Sequence, residues 1–175
     1  MDLRRRALGL DLSTTLKVII LTLILPTTVS RQTLWALLTE PDELVRWSPF
    51  VPDRIIESIG DLTAKEREGD TPYVSRIIEY EPLDSLAHTW GDDVVRWVLA
   101  DEILRCEMTL ARPEYASYYT AGWQVCLAVL QALLEGEEQE RTVGEDAMKH
   151  GWVELQEHYL HALPAQEPVP EIVGD

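Results

Sequence analysis

The stretch from Tyr73 to Ala111 constrains this chain more than any other. Four β-type segments, at 73–81, 86–90, 94–100 and 103–111, follow one another with very short connections. Connections that short join only antiparallel neighbours, so the stretch reads as a meander. Side chains alternate across such strands. Val95, Trp97 and Leu99 share a face opposite Arg96, and Leu104, Cys106, Met108 and Leu110 oppose Arg105, Glu107 and Thr109. Leu86, His88 and Trp90 oppose Ala87 and Thr89. One sheet face is therefore apolar and aromatic, and it needs a cover.

The cover follows directly in sequence. Pro113 opens a helix predicted to reach about Glu135, with Gly136 as its C-cap. Tyr115, Tyr119, Gly122, Cys126, Val129 and Leu133 form one stripe, with Trp123, Leu127, Leu130 and Leu134 beside it. So wide an apolar stripe suits a helix laid on a sheet. Gly122 inside it costs about 1 kcal/mol relative to Ala, which points to a close approach or a bend.

Upstream, 55–59 and 62–67 read as two more strands, and 48–52 as a loop. Ser30 is an N-cap candidate for a short helix carrying Leu34, Trp35, Leu37 and Leu38; a second short helix is expected over 42–47. The apolar run from Val18 to Leu25 follows Arg4, Arg5 and Arg6 in the order of a secretory signal. The run is far shorter than the about 20 residues of a membrane-crossing helix. Its Val and Ile content favours a strand and it ends at Pro26, and Asp11 and Lys17 interrupt the signal pattern. The expectation is a retained strand over 16–25, preceded by a flexible arm at 1–15. After the long helix come an acidic linker at 135–142, a last helix over 145–163 and a flexible acidic tail, 163–175. The predicted architecture is a single α+β domain over 16–162. It has an antiparallel sheet of about seven strands, two short helices after the first, a long helix and an extra C-terminal helix.

Charge excludes some partners. The 175 residues carry 15 Lys and Arg against 31 Asp and Glu, a net charge of -16. Nucleic acid and anionic membrane surfaces need a basic patch, so neither is an expected partner. Residues 135–175 hold eleven acids and two bases, read as a solvating segment. Two cysteines, Cys106 and Cys126, with no Cys/His cluster, predict neither a structural zinc site nor a disulfide framework, and a cytoplasmic location. Glycine-rich phosphate loops, Gly-x-Ser-x-Gly and His-Glu-x-x-His are all missing from the sequence.

Three stretches in the predicted order carry a family resemblance. They are Trp35-Ala-Leu-Leu-Thr-Glu-Pro-Asp-Glu-Leu-Val-Arg-Trp47, Thr89-Trp-Gly-Asp-Asp-Val-Val-Arg-Trp97 and Ala121-Gly-Trp-Gln-Val-Cys-Leu127. Together they resemble the SRPBCC (START-like, helix-grip) superfamily, in particular the bacterial branch named after the activator of a heat-shock-protein ATPase. Gly151-Trp-Val-Glu-Leu-Gln-Glu-His-Tyr159 is similar to the last helix of that branch. The resemblance implies a helix-grip fold, in which the sheet wraps around the long helix. That fold hosts lipid carriers, cyclases, hydrolases and cochaperone domains. The family often has a histidine after the Gly-Trp of the long helix, where this chain has Gln124.

Candidate chemistry is sparse. His88 is the one imidazole on the predicted inner face, a general base only if an acid partners it. Glu154, Glu157, His158 and His161 share a helical face that can present metal ligands or simply face solvent. Asp92 and Asp93 suit a turn, and Arg76 and Arg96 suit either the cavity or the outer face. The aromatic set Tyr80, Trp90, Trp97, Tyr118, Tyr119 and Trp123 packs as core or encloses an apolar pocket. The expected function is binding of an apolar or aromatic small molecule between sheet and long helix. His88, Trp90 and Trp97 are expected on the sheet side, with Tyr119, Trp123 and Cys126 on the helix side. No catalytic residue, cofactor or metal is assigned. A cyclase- or hydrolase-type enzyme on the same cavity, or a chaperone-ATPase partner module, is the alternative, and self-association stays open.

Overall fold

The computed structural model of the chain describes residues 2–164. Helix α1 (Leu3–Leu8) is followed by strands β1 (Ser13–Lys17) and β2 (Ile20–Pro26), then helices α2 (Arg31–Thr39) and α3 (Pro41–Leu44). Six strands come next: β3 (Val51–Pro52), β4 (Gly60–Lys65), β5 (Tyr73–Glu81), β6 (Ser85–Trp90), β7 (Asp93–Ala100) and β8 (Ile103–Thr109). A 3-10 turn over Pro113–Tyr115 leads into α4 (Ala116–Leu134), and another over Gly144–His150 precedes α5 (Trp152–Ala162). All strand pairs are antiparallel, in the order β1-β2-β8-β7-β6-β5-β4-β3. The fold is thus α+β, an open antiparallel sheet with a long helix.

The alternation read from the meander holds on β7 and β8, whereas on β6 Ser85 to His88 are all buried, Ala87 included. Val95, Trp97, Leu99, Leu104, Cys106, Met108 and Leu110 are all buried. The outer face carries ion pairs instead: Arg96 lies 2.9 Å from Glu79 and 3.2 Å from Glu107, and Arg76 pairs with Asp61 at 2.8 Å. Neither arginine reaches the sheet–helix gap. Ser30 caps α2 by accepting from the Thr33 amide.

Five expectations need correction. The arm expected over 1–15 instead forms α1 and β1. Leu3, Arg6 and Ala7 are buried at i, i+3 and i+4, but six residues are too few to show that period in sequence. The strand expected over 16–25 is a hairpin, reversing at Val18, whose φ of 57 puts a β-branched residue in the left-handed region. No turn residue marks that reversal. Residues 55–59 form no strand: Ile56 plugs the core while Ile55 and Ile59 are exposed. The loop expected at 48–52 contributes the short β3, and the described residues hold eight strands where seven were expected. The last helix is interrupted at Gly151, where φ is 96 and an added Cβ would meet Leu8 at 3.2 Å. The acidic tail expected over 163–175 lies almost entirely outside the described residues.

Helix α4 is covered on two sides. Trp123 turns toward the sheet, meeting Trp90 and Trp97. On the opposite side Ser117, Gln124 and Gln131, seven residues apart, meet α5 or α1. Gln124 donates to the Ala7 carbonyl at 2.7 Å and accepts from the Tyr159 hydroxyl. Arg6 is buried and pairs with Glu135 at 2.9 Å and Glu137 at 2.6 Å, placing positive charge at the C-terminus of α4. Two of the N-terminal arginines therefore serve packing: Arg6 here, and Arg4, which pairs with Glu154 at 2.7 Å.

Candidate functional site

The gap between the sheet and α4 has a filled end and an open end. At the filled end, Trp97 packs edge-on against Trp47 and Trp123, with ring centroids 5.7 and 5.4 Å apart. Trp47 is fully buried and donates its indole N–H to the Leu37 carbonyl at 2.9 Å. His88 stacks on Phe50 at 3.9 Å, and its Nδ1 donates to the Thr89 carbonyl at 3.0 Å. A carbonyl can only accept, which fixes the proton on Nδ1. Burial pushes the His88 pKa down to about 4, so the ring is neutral at pH 7.

At the open end a cavity of about 160 Å³ separates β6, α4 and α5. Trp90, Tyr119, Gly122, Trp123 and Cys126 line it, with Trp152 of α5 opposite. Trp90 and Trp123 meet with centroids 5.4 Å apart, and the Trp90 indole N–H donates to the Tyr73 hydroxyl at 3.1 Å. Trp123 is itself buried, and its indole N–H has no partner among the described residues. The Cys126 thiol approaches the Thr142 carbonyl at 3.7 Å, and burial pushes its pKa up to about 12. Burial raises the Cys106 thiol as well, so neither cysteine is a nucleophile at neutral pH.

The remaining wall is a strap, residues 141–147. Arg141 donates through Nε and Nη2 to the Ser48 carbonyl at 2.8 and 2.6 Å, and also to the Glu66 carbonyl. Arg67 reaches back to the Val143 carbonyl at 2.7 Å and lies 3.5 Å from Asp146. Glu66, Thr142, Val143 and Gly144 thereby complete the lining.

Four of the six residues assigned to ligand contact therefore meet around one cavity: Trp90, Tyr119, Trp123 and Cys126. His88 and Trp97 lie at the filled end and take no part in the lining. Sequence reasoning missed Glu66 and the strap, which no local pattern marks. Trp152 stood out only as part of the Gly151 to Tyr159 stretch of the last helix. The helical row of metal-ligand candidates is spread: Glu154 is committed to Arg4, and His158 rests on Tyr159. Among the described residues no group of three His, Cys, Asp or Glu side chains is placed to hold a metal ion, and no helix is long and apolar enough to cross a membrane. Asp93 accepts from the Ala111 amide at 2.8 Å, a turn role.

No family model and no curated protein matches the chain. Solved structures do. A conserved protein of unknown function from Enterococcus faecalis is 19% identical, with a TM-score of 0.64 over 91% of this chain and 93% of that one. The solution structure of CalU16 from Micromonospora echinospora is 16% identical, with a TM-score of 0.64 over 87% and 94%. A Bordetella parapertussis protein is 18% identical, with a TM-score of 0.60 over 89% and 92%. These similarities establish the fold: an antiparallel sheet and a long helix, shared over nearly the full length of each chain.

Proposed function

We propose that this is a small-molecule binding protein with a helix-grip fold of the SRPBCC type. It holds an apolar or aromatic ligand between β6, α4 and α5. Gly122 carries this reading. It sits in the middle of α4, where glycine costs about 1 kcal/mol against alanine. Its backbone has no positive φ, and an added Cβ would meet nothing nearer than the Trp152 Nε1 at 3.8 Å, an ordinary contact. Neither conformation nor crowding calls for glycine, so what it supplies is room in the cavity wall. The aromatic lining gives affinity, and the Tyr hydroxyls and Thr142 give orientation. The catalytic alternative has less support, because burial makes His88 a weak base, with a pKa of about 4, and it is packed away from the lining.

The test is a titration with 2-phenylethanol, a neutral aromatic of suitable size, followed by the indole N–H resonances. The reading predicts saturable shifts at Trp90, Trp123 and Trp152 and none at Trp47. Absence of saturable binding, or shifts confined to other sites, would overturn it.

A further inference from the structure

Among the described residues the cavity lining contains five aromatic rings, those of Trp90, Tyr118, Tyr119, Trp123 and Trp152, and a single charged residue, Glu66. Resting on the binding reading above, we propose that the ligand is a small organic cation. It would be a protonated or quaternary amine on a compact apolar or aromatic body.

Aromatic rings have a negative face, so a ring-lined, partly desolvated cavity favours an ammonium over a neutral group of the same shape. Glu66 puts an acidic side chain in one wall. Neighbouring side chains are paired elsewhere: Lys65 with Glu68 at 2.9 Å and Arg67 with Asp146 at 3.5 Å. The Glu66 carboxylate has no ion-pair partner within 4.0 Å among the described residues. Burial raises the Cys126 thiol most, Arg141 opposes it, and Glu66 adds a smaller raise; at the Tyr73 hydroxyl burial again dominates, the Trp90 hydrogen bond opposes, and Glu66 adds a smaller raise. Arg67 and Arg141 approach from outside the lining, and Arg141 is tied to the Ser48 and Glu66 carbonyls. The excess of acids, a net charge of -16, also draws cations toward the surface.

The experiment compares 2-phenylethylammonium with 2-phenylethanol by calorimetric titration at pH 7 and low salt, in the wild type and in Glu66→Gln. The two probes share a shape and differ in charge. The proposal predicts that the ammonium binds at least about threefold more tightly than the alcohol. That preference should shrink at high salt and largely vanish in Glu66→Gln. Thermal unfolding of the variant checks that its fold is kept, and Trp152→Leu, which removes a ring, should also reduce the preference. Equal or tighter binding of the alcohol overturns the cation proposal and leaves the binding reading intact. A preference that survives Glu66→Gln unchanged also overturns the proposal as stated. If neither probe binds, the binding reading itself fails.

Discussion

The two ends of the sheet–helix gap use the same residue types to opposite effect. At one end Trp47, Trp97, Phe50 and His88 interlock, with centroid spacings of 3.9 to 5.7 Å, and leave no lining residue to a cavity. At the other, Trp90, Trp123 and Trp152 stand around about 160 Å³ of space. The difference comes from what faces the rings. Helices α2 and α3 and the loop to β3 deliver Trp47 and Phe50 into the first end. At the second, α4 offers Gly122, and the far wall is a strap fastened by two arginines. Aromatic content thus does not decide between core and pocket; the size of the opposing residue does.

The largest effect should come from breaking the filled end. Trp97→Ala should cost about 3–5 kcal/mol of stability, read by chemical denaturation, because the ring is buried on all sides and its neighbours are themselves rigid rings. A loss under about 1 kcal/mol would mean that this end is not packed as described.

The second test is pH. Burial holds His88 near a pKa of about 4, against an ordinary value of 6.5. Above pH 6.5 the ring is neutral in both states and contributes no slope. As pH falls from 6.5 toward 4, the unfolded chain takes up a proton that the native chain refuses, so stability falls. The loss should approach about 3 kcal/mol. Comparing wild type with His88→Gln over that window isolates it: the wild type should show the extra slope and the variant should not. Identical slopes would place His88 in contact with water, and the two ends would no longer differ.

The open end should respond the other way. Trp152→Ala should cost only about 1 kcal/mol, since the ring is half-buried, yet it should weaken binding of 2-phenylethanol several-fold. A core-sized stability loss would make Trp152 a packing residue like Trp97.

How much of this was legible in sequence depended on whether a periodic signal existed. Strands β5 to β8 and helix α4 were readable because alternation at period two and spacing at 3.6 run over enough residues to be distinctive. Helix α1 was not readable, because its buried face is three residues, one of them Arg6. The β1–β2 hairpin was hidden by a turn built on Val18, a residue type that normally avoids positive φ. Site residues divided along the same line. Trp90, Tyr119, Trp123 and Cys126 follow from facing stripes on two periodic elements. The misplacement of His88 and Trp97 came from Trp47 and Phe50, delivered by irregular chain that no pattern orients. Glu66 and the strap meet through side chain to carbonyl bonds between segments more than 70 residues apart, which local sequence does not encode.

The smallest change is the most direct test. Gly122→Ala adds one methyl group to the cavity wall in a helix that should welcome it. If the glycine is there to leave room for a ligand, the variant should be more stable by up to about 1 kcal/mol in denaturant and should bind 2-phenylethanol several-fold more weakly than the wild type. A variant that is more stable and binds as well as the wild type, or one that is less stable, would contradict the claim that Gly122 is held for the cavity.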